Sequence, residues 1–240
     1  MAAACACCTG NALAGEGVHW GYTGSTGPGE WDKLNSASQA CSIGHRQSPI
    51  DIVNVEKGAL PKLQVKWLPS KGYLLNNGHA IQIGLDNGGS LILDEDEYEF
   101  VQAHFHSPSE HWINGQLFPM EAHFVHRNRK SQALAVAVLI AGGGAHEAFG
   151  SFASVLPNTA DQRHILQGEV SLTSLLPTRL SYWSYSGSLT TPPCSEQVRW
   201  IICKEPIHVN DTDIELFRAL YPMNARPIQR NHGRVVYESD

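Results

Sequence analysis

Long apolar runs are missing from this sequence. A membrane-crossing helix needs roughly 18 or more consecutive apolar residues, and no such stretch occurs. Charge is sparse as well: 17% of the 240 residues are charged, for a net −6. The longest basic run is the short segment His126–Lys130, so nothing marks a nucleic-acid-binding face. No internal repeat is found, and low complexity is confined to residues 1–14, MAAACACCTGNALA. Ala12-Leu13-Ala14 resembles a small-x-small cleavage site, but the basic start and apolar centre of a secretory signal are missing. Ala3-Ala4-Cys5 is a weak lipoprotein-like pattern. Residues 1–14 are read as a residual signal or tail, and 15–240 as one domain.

What is present is a hydrophobic fraction of 42%, enough for a sizeable core. Cys5, Cys7 and Cys8 fall in the tail. Cys41 and Cys194 sit in loop-like sequence, and Cys203 in an apolar stretch that suits a buried free thiol. Composition alone does not pair them.

The informative stretch is Tyr98–Asn128, YEFVQAHFHSPSEHWINGQLFPMEAHFVHRN. Side chains two apart on a strand share a face, so Gln102, His104 and His106 project together. After a break at Ser107–Ser109 and a turn at Asn114-Gly115, Glu121, His123 and Val125 share a face of a second stretch, Gln116–Arg127. Glu110 lies between. Two adjacent strands would converge three imidazoles, and three nitrogen ligands with an open fourth position describe a catalytic zinc site. A lone strand histidine is more often a hydrogen-bonded core or surface residue. An H-x-H followed by Glu also opens the first motif of a cupin jelly roll, but its later glycine and P-x-G-x-x-H partner are missing.

Along the chain, Trp20–Trp31 reads as an irregular arm. Strands are expected at Leu63–Trp67, Tyr73–Asn76, His79–Leu85, Ser90–Leu93, Ala133–Ala141, Tyr182–Ser186 and Val198–Cys203. Helices are expected at His146–Val155 and Thr212–Leu220, the latter with a Thr212/Glu215 capping box. The segment from Asn224 onward reads as extended chain wrapping the body. The fold class is therefore mainly β (α+β): one large, mostly antiparallel twisted sheet with short peripheral helices.

With WGYTGSTGPGEW, QSPIDI, LNNGHA, QAHFHSPSEH, EAHFVH, GSLTTPPCSE, VRWIICKEPI and NARPIQ in that order, the sequence resembles the α-class carbonic anhydrases, of the secreted bacterial type. The resemblance spans about Trp20 to Tyr237. It implies that His104, His106 and His123 hold Zn2+, with Gln102, Glu121 and the backbone carbonyl of Asn224 orienting them. Thr190 matches the hydroxyl beside the zinc-bound hydroxide, and Glu110 the carboxylate that accepts its proton. His79 matches the proton shuttle, with Tyr22 and Asn77 beside its water chain. Val125, Val136, Leu189, Val198 and Trp200 match the apolar wall for carbon dioxide, and Thr191 lines the same pocket. The resemblance also pairs Cys41 with Cys194. His111 and His126 read as buried hydrogen-bonding residues instead.

The implied reaction is zinc-dependent reversible hydration of carbon dioxide to bicarbonate and a proton, by attack of zinc-bound hydroxide with histidine-mediated proton transfer. Ester hydrolysis is an expected side activity. A silent binding domain on the same fold would be expected to lose a zinc ligand or Thr190, and all are kept. Carbon dioxide and bicarbonate are the partners, a homodimer is left open, and the disulfide implies an oxidising compartment, periplasmic or secreted.

Overall fold

The computed structural model describes residues 19–240; the tail at 1–14 and its three cysteines lie outside them. Short strands β1 (Asp51–Ile52) and β2 (Glu56–Lys57) precede β3 (Gln64–Trp67), β4 (Gly72–Asn76), β5 (Ile81–Leu85) and β6 (Gly89–Leu93). The long β7 (Asp96–His106) is followed by β8 (Trp112–Ile113), β9 (Met120–Asn128) and β10 (Ala133–Ala141). Then come β11 (Arg163–Ile165), β12 (Tyr182–Ser188), β13 (Glu196–Cys203), β14 (Ile207–His208) and β15 (Tyr237–Glu238). Helices α1 (Ala40–Ile43), α2 (Glu147–Ala153) and α3 (Asp211–Leu220) are short.

One large sheet runs β11-β4-β5-β7-β9-β10-β13-β12-β15-β2, with β6 attached to β7, β3 to β6, and β14 to β10. Most pairings are antiparallel, as expected. The exceptions in this sheet are β10 beside β13 and β14, and β15 beside β2, which run parallel; β1 and β8 form a separate parallel pair. The apolar run of β10 is buried on both faces, which suits its central place between β9 and β13. One face packs with Phe124, Phe149 and Phe217 in the main core; the other meets Ile50, Tyr185 and Trp200.

Three expectations need correction. His79 lies in the bend before β5, not on it, because Asn77 Oδ1 accepts the N–H groups of His79 (2.9 Å) and Ala80 (2.8 Å). The second histidine-bearing strand starts at Met120 rather than Gln116; Pro119 has no N–H to give a ladder. No capping box closes α3: Asn210 is its N-cap, two residues ahead of Thr212, and its Nδ2 reaches Asp213 at 3.3 Å.

The amino-terminal arm is irregular, as expected, and forms 3-10 turns at Gly24–Thr26 and Pro28–Lys33. Trp31 is fully buried, its indole N–H donating to Gly21 and Thr26 carbonyls. Cys41 is bonded to Cys194 across a sequence separation of 153, and Trp31 packs on the bridge. Cys203 is a buried free thiol, pushed up to about 12 by burial, and so unreactive.

Candidate metal centre

The histidine-bearing strands β7 and β9 are antiparallel neighbours, and His104 stands directly opposite His123. His106 leaves the same face of β7 two residues on. The three rings gather with centroids 4.6–5.1 Å apart, and one nitrogen of each lies within 4.8 Å of the others.

Each imidazole spends its other nitrogen on a partner. His104 Nδ1 donates to Gln102 Oε1 (2.9 Å), His106 Nδ1 to the Asn224 carbonyl (2.7 Å), and His123 Nε2 to Glu121 Oε1 (2.8 Å). Those bonds fix the tautomers, so the Nε2 lone pairs of His104 and His106 and the Nδ1 lone pair of His123 face one point. Burial, then the neighbouring His106 and His123, holds His104 well below the usual histidine range; burial lowers His106 also. Neutral imidazoles are the form that binds metal. His106 Nε2 is buried with no hydrogen-bond partner. A buried nitrogen left bare is costly in an ordinary core and fits a ligand atom, so the residues suit a zinc ion.

Glu121 anchors the arrangement from behind. Its Oε2 accepts the backbone N–H of Glu110 and of His111, both at 2.8 Å, and its Oε1 takes His111 Nδ1 (2.7 Å) as well as His123. Burial alone would raise its carboxyl, but His111 and His123 and their hydrogen bonds hold it well below the usual carboxylate range. His111 Nε2 continues to Tyr185 Oη (2.7 Å), which donates to Ser48 Oγ (2.8 Å). A Cβ on Gly187 would collide with Ser48 Oγ, so this approach requires glycine.

Glu110 Oε1 accepts the Arg226 N–H (2.8 Å), while its buried Oε2 has no hydrogen-bond partner and lies 3.6 Å from His106 Nε2. The Arg226 guanidinium donates to Cys41 O (2.9 Å), Gln47 Oε1 (2.9 Å) and Ser48 O (2.8 Å). Burial lowers it to about 10, still charged at neutral pH.

A funnel leads to the histidines. Val125, Leu189, Val198 and Trp200 line it with Thr190 and Thr191, and Tyr22, Asn77 and His79 stand with them. Val136 does not line it. Ala135, the cross-strand partner of Val125, takes that place, and Val136 pairs with Phe124 in the main core. His79 lies flat on Trp20, ring centroids 3.7 Å apart, and burial followed by the nearby His19 pushes it down to about 4.

A sequence profile described as eukaryotic-type carbonic anhydrase matches residues 26–240. The chain belongs to this family. A carbonic anhydrase of Neisseria gonorrhoeae is 41% identical over 235 residues, covering 96% of this chain and 93% of its own length. Another, from Pectobacterium atrosepticum, is 36% identical over 227 residues, covering 94% and 93%. Among solved structures, the α-carbonic anhydrase of Thermovibrio ammonificans, in complex with the inhibitor sulfanilamide, superposes with a TM-score of 0.90. It is 38% identical, with 92% of this chain and 99% of that one covered. As a carbonic anhydrase, the chain interconverts carbon dioxide and bicarbonate. Sequence reasoning missed Ala135 in the funnel, and Tyr185, Ser48 and Arg226 in the hydrogen-bond network behind the histidines. Arg226, a charge inside NARPIQ, and Ser48, inside QSPIDI, carried a signal; Ala135 and Tyr185 carried none.

Proposed function

We propose that His104, His106 and His123 bind zinc and that the chain hydrates carbon dioxide with it, passing the proton out through His79. The observation that carries this is the bare, buried His106 Nε2 among three imidazoles whose other nitrogens are all committed. Zinc bound there would supply a water of lowered pKa as nucleophile at neutral pH, a property for which carbonic anhydrases are the reference example. The chain's own residues do the rest. Val125, Leu189, Val198 and Trp200 give an uncharged, apolar substrate a wall on which water competes poorly.

Thr190, 5% exposed in that wall, would give its hydroxyl proton to the unpartnered Glu110 Oε2. It could then only accept a hydrogen bond from the reacting water, which fixes that water's orientation. Arg226 holds the opposite oxygen of Glu110 and keeps the carboxylate aimed. His79 must leave the Trp20 face to work, since an imidazole at about 4 is a poor proton acceptor near neutrality. Off the indole it would approach the ordinary value of about 6.5.

The Cys41–Cys194 bridge supports an oxidising location, periplasm or exterior. Metal analysis of purified protein alongside carbon dioxide hydration and ester hydrolysis tests the reading. One zinc per chain with hydration dominant is expected; full hydration by metal-free protein would refute it.

A further inference from the structure

Away from the metal centre, a second cavity of about 880 Å³ opens beside β12, β13 and residues 232–237. Its walls carry Arg46, Arg199 and Arg234 with His45 and His232, and no aspartate or glutamate. In a chain of net charge −6 this is a local reversal of sign. The basic side chains come from three distant stretches of sequence, so folding gathers them, not a basic run.

Their bonding divides them. Arg234 is fixed, with Nη2 donating to Gln47 O (2.8 Å), Nη1 to Ser186 O (3.1 Å) and its guanidinium 5.4 Å over the Tyr185 ring. Arg199 is paired with Asp94. Among the described residues, no hydrogen bond or ion pair engages the guanidinium of exposed Arg46; its backbone N–H alone donates to Glu196 Oε1 (2.7 Å). Asp94 and Glu196 flank the cavity but are not among its walls. Burial, opposed by Tyr185 and Glu196, lowers Arg234, and the like charge of Arg46 adds to that fall. His45 and His232 meet edge to face, centroids 5.0 Å apart.

The rim is also conformationally unusual. Gln197 (φ 74°) and His232 (φ 52°) both hold left-handed backbone, which is uncommon outside glycine and must be compensated by the surroundings. At Gln197 the β12–β13 register shifts, with Ser188 opposite Glu196 and Gly187 opposite Val198. A bulge there frees the glutamine from the ladder.

Guanidinium groups fork onto paired oxygens, and imidazole and amide N–H groups can add donors around them. We infer that this groove binds a phosphate-type oxyanion through Arg46, Arg199, Gln197 and the His45/His232 pair. A free ion and a lipid phosphomonoester headgroup share that chemistry.

The test uses the metal-loaded enzyme with its active site saturated by sulfanilamide, so that anions cannot register at the metal. Inorganic phosphate, titrated calorimetrically at pH 7, should bind saturably, and Arg46→Ala and Arg199→Ala should each weaken it about 10-fold or more. Both variants should keep the parent's thermal midpoint and hydration rate. Sedimentation with phosphatidate vesicles, against phosphatidylcholine vesicles, separates the sources. Arginine-dependent co-sedimentation assigns the headgroup, and phosphate binding without it assigns the free ion. No saturable binding of either probe, or equal binding by parent and both variants, overturns the inference.

Discussion

Replacing Glu121 by glutamine changes almost no volume and should nevertheless cripple the metal site. The carboxylate accepts four N–H groups: two from backbone at Oε2 and two from imidazoles at Oε1, at 2.7–2.8 Å, in a residue with no exposed surface. Glutamine has one acceptor oxygen and one NH2. Backbone N–H groups cannot change role, so the amide oxygen must face Glu110 and His111 N–H, turning NH2 towards the two rings. His123 Nε2 must then accept, and its proton moves to Nδ1, the atom otherwise offering a lone pair. Losing a partner behind a metal ligand typically costs 10–100-fold in affinity. Reversing one should reach the upper end, about 100-fold, or ~2.7 kcal/mol at 1.36 kcal/mol per factor of ten. Gln102→Ala removes one neutral acceptor and should cost about 10-fold. Competition for zinc against a chromophoric chelator measures both, with thermal unfolding as the check on folding. Zinc affinity of Glu121→Gln within about threefold of the parent would refute the tautomer argument and the ligand set built on it.

Other expectations are more direct. Thr190→Ala should retain zinc and slow hydration by about 100-fold; an unchanged rate would remove Thr190 from the mechanism. His79→Ala should lower kcat in weak buffer and leave kcat/KM nearly unchanged, with concentrated imidazole restoring turnover. Trp20→Ala, by removing the surface that buries His79, should raise its pKa from about 4 towards 6.5 in an NMR titration. Non-reducing mass spectrometry should find Cys41 joined to Cys194 and Cys203 free. Reduction should lower the thermal midpoint, since closing a loop this long is worth about 5 kcal/mol in the chain-entropy account. Val136→Ala should cost about 2 kcal/mol of stability and leave hydration kinetics alone, because its two lost methyls come from the main core. Slowed hydration at parental stability would put Val136 back on the substrate wall.

The clustering of His104, His106 and His123 was legible because a two-residue offset on a strand fixes a face whatever lies around it. No such offset was available at Val136, which rested on the family resemblance alone. A strand buried on both sides is apolar throughout, so β10 carries no alternation to say which residues look into the funnel. That was decided by register, Ala135 opposite Val125, and register belongs to the partner strand. The helix at 211–220 was visible from its apolar spacing, but its first bonds run to the Asn210 backbone carbonyl with no side-chain cap, so no capping residue in the sequence marked its start. Ser48, Tyr185 and Arg226 were illegible as a network because each joins segments more than a hundred residues apart. The parallel β10–β13 pair is likewise a tertiary decision, made by the chain between them.

The Asn224 carbonyl that steers His106 and the Arg226 N–H that aims Glu110 come from a segment of no regular structure, far downstream of all three histidines. A ribosome delivers residues in order, so the histidine strands can pair long before these supports exist. The pocket is thus finished from its last-made part, like an arch awaiting its keystone. A nascent chain stalled before Asn224 would display three histidines with one still free to turn, and would be expected to capture metal loosely and without selectivity.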